Sequence, residues 1–257
     1  MNLGIANKHA LVTGASRGIG AAVCESLARE GALVTAVARS QKDLQALESI
    51  IGSKGNVFIQ SDLMEDRAVE TLHSQLIDSG RQPSIIINNV GGTMDLNDPL
   101  CSSDDFLKVM KFNLGIAMDV NRFMVPNMRE KKWGRICHVS SISALENQGP
   151  PSYSAAKAAL NAYVRGVSRY LASENIILTS VMPGAIFTEG GYWDEVSKNR
   201  PDHLKKYLEE RMATKRLGNV SEIAELTTFL VSEHASFMVG SSVLADGGQG
   251  RVFPEYE

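Results

Sequence analysis

The sequence predicts an α/β protein, a doubly wound sheet with helices on both faces that spans residues 1–257 as one domain. Three observations predict it. Seven short apolar runs, at residues 10–12, 32–38, 56–60, 84–87, 135–139, 176–182 and 242–245, alternate with stretches whose apolar residues recur at helical spacing. The first run passes through a glycine-rich turn straight into a helix. Finally, 257 residues suffice to cover one sheet on both faces without providing for two independent cores.

Apolar residues at 44% and charged residues at 21% are the proportions of a globular protein, which excludes a disordered or fibrous chain. Twenty-six basic against 29 acidic residues leave a net charge of −3, so neither nucleic acid nor an anionic membrane is an expected partner. Cys24, Cys101 and Cys137 are widely spaced, without the Cys/His clustering that a metal site needs, and no metal is expected. The first residues carry neither a signal peptide nor a membrane span, and a cytoplasmic location is expected.

Taken in order, the first run leads into Thr13-Gly14-Ala15-Ser16-Arg17-Gly18-Ile19-Gly20 and a helix from Ala21 onward. Gly14 permits a tight turn, Gly18 lets a pyrophosphate approach the backbone, and Gly20 lets the helix pack close to the strand. The helix N-terminus offers free N–H groups to phosphates. The second run ends at Ala38-Arg39, where an NAD-binding chain would place a ribose-binding carboxylate. With no acid there, and with Arg39 and Arg17 both able to fork onto a 2′-phosphate, the chemistry favours NADP(H) over NAD(H).

Ser61-Asp62-Leu63 follows the third run, and Asp62 either accepts from an adenine amino group or caps a helix starting near Glu65. The fourth run closes in Asn88-Asn89-Val90-Gly91-Gly92, where backbone can pass close to a cofactor. Residues 102–128 read as one long helix in which Asn113 is buried by period, so its amide must be hydrogen-bonded, either to a water or by bending the helix. The fifth run ends in Ser140-Ser141, of which alternation lets only one face a site. After the sixth run, Pro183-Gly184 turns the chain, and residues 189–217, rich in both charges, read as an amphipathic insertion placed where a substrate lid would go. Asn219 with Glu222 resembles a capping box for a helix over 221–232. Val252, Phe253, Pro254 and Tyr256 form an apolar tail expected to pack on a neighbouring subunit.

Tyr153 and Lys157 lie one helical turn apart and share a face. Bringing a tyrosine from a pKa of ~10 to neutrality takes roughly 4 kcal/mol of phenolate stabilisation. A neighbouring ammonium supplies stabilisation of that sign. An acid/base group therefore stands where a cofactor and an alcohol or ketone could meet.

These motifs, in the order Thr13–Gly20, Asn88-Asn89-Val90-Gly91, Asn113, Ser140-Ser141, Tyr153 with Lys157, Pro183-Gly184 and Asp246-Gly247-Gly248, closely resemble the short-chain dehydrogenase/reductase family from about Lys8 to Gln249. The resemblance implies a seven-stranded parallel sheet in Rossmann order, one active site per subunit and a homotetramer or homodimer. Tyr153 is then the general acid in reduction and the base in oxidation, Lys157 lowers its pKa and bonds the nicotinamide ribose, and Asn113 holds a water of the proton relay. Spacing leaves both serines open; Ser141 is preferred over Ser140 because the second of the pair is usually the active one in the family. By the same resemblance Gly14, Ser16, Arg17, Gly18, Ile19, Gly20, Arg39, Asp62, Leu63, Asn89, Gly91, Tyr153, Lys157, Pro183, Gly184, Ile186 and Thr188 contact the cofactor. Val90 stands where the family has alanine.

The expected activity is an NADP(H)-dependent interconversion of a ketone and a secondary alcohol; the competing class is a non-catalytic nucleotide-binding regulator on the same fold. The polar loop Glu146-Asn147-Gln148 favours a sugar or polyol derivative as substrate. The basic residues Arg129, Lys131, Lys132 and Arg135, suited to an acidic acyl carrier, make a 3-oxoacyl-acyl-carrier-protein reductase the alternative.

Overall fold

The computed structural model describes residues 1–146 and 148–251; Asn147 of the polar loop and the apolar tail at 252–257 lie outside the described residues. The strands are β1 (His9–Thr13), β2 (Leu33–Ala38), β3 (Val57–Gln60), β4 (Ile85–Asn88), β5 (Gly134–Val139), β6 (Ile176–Pro183), β7 (Ile186–Phe187), β8 (Gly218–Asn219) and β9 (Ser242–Ala245). The helices are α1 (Gly18–Arg29), α2 (Gln41–Ile51), α3 (Ala68–Asp78), α4 (Ser103–Met110), α5 (Ile116–Lys131), α6 (Pro151–Leu171), α7 (Tyr192–Asn199), α8 (Pro201–Arg211) and α9 (Val220–Leu230). Seven strands form one parallel sheet in the order β3-β2-β1-β4-β5-β6-β9. The seven apolar runs are these strands, each displaced by at most a residue or two.

Both faces of the sheet are covered, which is why its strands read as continuous apolar runs rather than alternating ones. Ala10, Val12, Ile85 and Ile87 face a core closed by Val23, Cys24 and Leu27 of α1, Leu44 and Leu47 of α2, and Ile223, Ala224 and Leu230 of α9. Leu11, Ile86 and Ile136 face the opposite core, closed by α3, α5 and α6. Because β1 pairs with β2 on one side and β4 on the other, the winding reverses between β1 and β4. A crevice opens at their carboxyl ends.

Two elements differ from the sequence reading. The long helix is interrupted by a π-helical turn over Lys111–Gly115 and runs on to Lys131. The extra residue in that turn swings Asn113 toward the backbone at Gly92, with which its amide exchanges two hydrogen bonds of 2.9 Å. The helix expected near Glu65 starts at Ala68, since Arg67 takes a left-handed φ of 61°. Asp62 therefore caps no helix; its Oδ1 accepts from the Met64 N–H at 3.0 Å and shapes the turn after β3. At α9 the Asn219 N–H donates to Glu222 Oε2 at 2.8 Å, the expected capping contact.

The glycine turn is tightened by packing. Gly14 and Gly18 sit at φ 64° and 59°, the left-handed region. Asn89 bolts β4 to this turn, its Nδ2 donating to the carbonyls of Thr13 at 3.2 Å and Gly14 at 2.9 Å. A Cβ on Gly20 would run into the Gly14 carbonyl and, at 2.6 Å, the Asn89 amide. Gly20→Ala is therefore expected to destabilise the protein by about 1–3 kcal/mol through overpacking. A fall in melting temperature, with weakened dinucleotide binding, is the measurement that checks it.

Candidate functional site

Two adjoining hollows lie at the carboxyl ends of the strands. The larger, about 680 Å³, runs from the glycine turn past the ends of β2 and β3. Of the residues expected to contact the cofactor, Gly14, Ser16, Arg17, Gly18, Ile19, Arg39, Asp62, Leu63, Asn89, Gly91 and Thr188 line it. Gly20 does not, because its place is the contact of α1 with the turn. The smaller, about 270 Å³, shares Ile19, Asn89, Gly91 and Thr188 with the first and adds Ser140, Ser141, Tyr153, Lys157, Pro183, Gly184 and Ile186. Ser40 and Asp43, at the start of α2, line the first cleft, and Trp193 lines the second; sequence reasoning missed all three. The helix-capping Ser40 immediately after Arg39 was the available signal for the first of them, its Oγ accepting from the Asp43 N–H at 3.3 Å.

Helix α6 opens on Pro151, whose fixed φ suits a first helical position, and so presents Tyr153 and Lys157 on one face of its first two turns. The Lys157 side chain is 3% exposed and its Nζ donates to the Val139 carbonyl at 2.8 Å. Nζ lies 5.7 Å from the centre of the Tyr153 ring. A Cβ on Gly91 would meet Asn113 Oδ1 at 2.7 Å and Lys157 Nζ at 2.9 Å, so only glycine lets the three groups converge. The Asn113 amide is fully engaged: Oδ1 accepts from Gly92 N–H, and Nδ2 donates to Gly92 and Val109 carbonyls, each at 2.9 Å. Its side chain is a clamp on the β4 loop and leaves no donor for a water.

Geometry separates the two serines. Ser140 is buried, its Oγ 3.5 Å from the Lys157 carbonyl of α6. Both serines line the smaller cavity, and Ser141 is the more open of the two, its Oγ accepting from Ser143 N–H at 3.1 Å. Burial pushes the Tyr153 phenol above its ordinary value, with Ser141 opposing. Burial also lowers the Lys157 ammonium to about 7. The expectation that Lys157 draws the phenol toward neutrality is thus not what these side chains show. Burial is the leading influence on both groups.

Arg17 and Arg39 flank the glycine-turn end of the larger cleft, and Arg39 approaches Asp62 to 4.0 Å while most of its guanidinium stays in solvent. The cleft fits a dinucleotide: two left-handed glycines leave its floor without side chains, and the N-terminus of α1 opens onto it. Among the described residues no helix is long and apolar enough to cross a membrane, and no group of three metal-ligating side chains assembles.

The family model described as enoyl-(acyl carrier protein) reductase matches residues 14–249. The chain belongs to the short-chain dehydrogenase/reductase family of oxidoreductases. A 3-oxoacyl-(acyl-carrier-protein) reductase of Pseudomonas aeruginosa is 30% identical over 249 residues, which cover 96% of this chain and 98% of that one. Among solved structures, an L-sorbose reductase from Gluconobacter frateurii complexed with NADPH and L-sorbose is similar at TM-score 0.90 and 28% identity, covering 97% of this chain and 98% of that one. A 3-oxoacyl reductase from Agrobacterium tumefaciens with NADP bound is similar at TM-score 0.88 and 28% identity, covering 96% and 95%.

The buried lysine carries a measurable cost. Its folded pKa near 7 lies below the ordinary 10.5, so between these values the unfolded chain binds more protons. The penalty is fully present below pH 7 and is relieved as pH climbs toward 10.5. Lys157→Met is expected to raise the melting temperature most at pH 6–7, with a gain that shrinks by pH 10; thermal denaturation across that range, without added dinucleotide, checks the sign.

Proposed function

We propose that this chain is an NADP(H)-dependent reductase of a compact ketone, with Ser141, Tyr153 and Lys157 as its catalytic groups. The observation that carries the reading is their convergence on one small cavity opening into the dinucleotide cleft. When bound, the nicotinamide supplies the hydride in reduction and accepts it in oxidation. The Ser141 hydroxyl orients the substrate carbonyl and holds charge developing on its oxygen. Tyr153 gives that oxygen its proton, and in the reverse direction removes it. Lys157, poised near 7, sits within reach of the same locus as a proton reservoir and a donor to the nicotinamide ribose. Asn113 acts by clamping the glycine loop beside that lysine.

Arg17, Arg39 and the N-terminus of α2 at Ser40 gather where a 2′-phosphate belongs, with no acid at position 39. NADP and NADPH in the two similar structures support the preference. Arg39→Ala is expected to raise the KM for NADPH by about ten- to hundredfold, the worth of one or two charge-assisted hydrogen bonds. The KM for NADH stays put, and steady-state kinetics with both dinucleotides tests it.

For the substrate, a sugar- or polyol-derived ketone is the leading reading. The cavity is small, and its lid side is walled by Trp193, braced edge-on by Tyr192 at 5.0 Å and by Tyr207 of α8 at 4.4 Å. Such an aromatic face suits the C–H surface of a compact polyol. Neither sequence argument about substrate carries weight in the structure. Glu146 and Gln148 of the polar loop are engaged with each other and with the segment after β9. Of the basic residues, Arg135 is fully buried and Arg129 pairs with Glu174 at 3.1 Å, both at the amino end of β5, away from the cavity. The alternative, a 3-oxoacyl-acyl-carrier-protein reductase, is favoured by the curated relatives.

In this reading one domain spans the chain, and the insertion at 189–217, pinched at its base by the β7–β8 ladder, serves as the lid. Self-association as a tetramer or dimer is supported by Met118 and Tyr170, exposed beside Arg122 and Arg129 on the α5–α6 face. A cytoplasmic location agrees with reduced cysteines, two of them buried. A panel of ketoses against acetoacetyl thioesters, followed by NADPH consumption, separates the substrate readings. Tyr153→Phe is expected to lower kcat on the accepted substrate by about 10²–10⁴-fold. Unchanged turnover would remove the mechanism and leave a nucleotide-binding scaffold.

A further inference from the structure

The chain returns to the site after β9 through a tight double turn. Asp246 anchors it, Oδ1 accepting from Gly248 N–H at 3.1 Å and Oδ2 from Gly250 N–H at 2.7 Å. Gly247 and Gly248 hold φ of 63° and 71°, which residues with a side chain adopt only under strain. This turn aims Gln249 inward, leaving it 4% exposed. Both ends of its amide are used. Oε1 accepts from the Ala185 N–H at 2.7 Å, and Nε2 donates to Gln148 Oε1 at 3.4 Å. Gln148 in turn donates to Glu146 Oε2 at 2.8 Å, while the other Glu146 oxygen accepts from the Arg251 N–H.

The two partners belong to different walls of the site. Ala185 lies between Gly184 and Ile186, both of which line the smaller cavity. A Cβ on Gly184 would meet Gln249 Oε1 at 2.6 Å, so the glycine is what lets this amide press against the turn. Gln148 belongs to the loop between Ser141 and Tyr153, and a Cβ on the next residue, Gly149, would come within 3.3 Å of the Tyr153 ring. One buried amide therefore spans the wall expected to face the nicotinamide and the wall that carries the acid/base groups.

We propose that Gln249 is a positioning residue for the reaction: by holding Ala185 and Gln148 together it sets the spacing of the turn at 184–186 from the segment carrying Ser141 and Tyr153. The proposal rests on the reductase reading above for its meaning, but not for its test. The two ends of the amide act on different steps. Losing the Ala185 bond leaves a buried N–H unpaired and loosens the cofactor wall; losing the Gln148 bond loosens only the substrate loop.

The test uses the full chain with Gln249→Leu, Gln249→Asn, Gln249→Glu and Gln148→Leu. NADPH affinity is read directly from nicotinamide fluorescence, and turnover from whichever ketose or thioester the panel identifies, at temperatures well below each melting midpoint. Gln249→Leu and the shorter Gln249→Asn are expected to weaken NADPH binding and lower kcat by roughly tenfold each, the usual effect of one orphaned buried hydrogen bond. Gln249→Glu keeps an oxygen for Ala185 and is expected to restore NADPH affinity to within about threefold of wild type. Gln148→Leu is expected to leave NADPH affinity unchanged and to raise only the KM for the carbonyl. Wild-type NADPH affinity and kcat in a folded Gln249→Asn would overturn the proposal, as would a Gln148→Leu variant that weakens NADPH as much. Because NADPH binding needs no turnover, a panel in which nothing reacts sinks the reductase reading alone.

Discussion

The constraint on which the rest of the structure depends is a lysine ammonium held out of water. Lys157 is 3% exposed, and its Nζ donates to the Val139 carbonyl at 2.8 Å. A cation in that position is tolerable only where backbone can come close on the other side, and Gly91 supplies that approach. The neighbouring amide of Asn113 reaches the same point because a π-helical turn rotates it there. Strand β5, the glycine after β4, the irregular turn between α4 and α5, and the first turns of α6 thus meet at one amine. Its depressed pKa near 7 gives that charge the range in which a proton exchanges at neutrality.

The fold was legible because each strand is buried on both faces. Continuous apolar runs alternating with helical periods leave a doubly wound sheet as the simplest arrangement, and all seven runs became its strands. The dinucleotide cleft was legible for the same reason that glycine motifs work at all. Gly14 and Gly18 mark positive φ, which the sequence states outright. What the sequence could not reveal was register within helices and across loops. A π turn adds a residue without disturbing apolar periodicity enough to be seen, so residues 102–128 read as one regular helix. Ser140 and Ser141 are adjacent in a pattern that predicts only that they diverge. In the fold their surroundings differ, the Ser140 Oγ lying 3.5 Å from the Lys157 carbonyl of α6 and the Ser141 Oγ accepting from the Ser143 N–H.

The residues that suggested a substrate were less legible for a further physical reason: polarity in a sequence does not say who the polar group's partner is. Glu146 and Gln148 read as groups waiting for substrate hydroxyls, yet their hydrogen bonds are taken up by each other, Gln249 and Arg251. Arg135 read as part of a basic docking face. It lies instead at the amino end of β5, over the Trp133 ring and 3.6 Å from Glu233, where it ties the bottom of the sheet to the turn after α9. Trp193 carried no signal, being the single tryptophan of an insertion rich in charge, and only folding places it on the cavity that Tyr153 also lines.

The same partners bear on how the insertion at 189–217 is fastened to the rest of the protein. Its two ends are joined by the parallel pairing of Ile186 with Gly218 and Phe187 with Asn219, and Ile186 is itself a wall of the cavity. Asp194 then fastens the start of α7, taking bonds of 2.8 Å from both Gly190 N–H and Lys198 Nζ. At the far end, Arg251 donates to the Glu210 carbonyl at 2.9 Å, linking the last turn of α8 to the strap that carries Gln249. These ties fasten both ends of the insertion and the last turn of α8 to the rest of the protein. Between these ties α8 carries the Tyr207 brace behind Trp193, while the turn at 184–186 is held by Gln249. The wall made by Trp193 and the turn at 184–186 are in this way held by different contacts, one aromatic and one a buried amide.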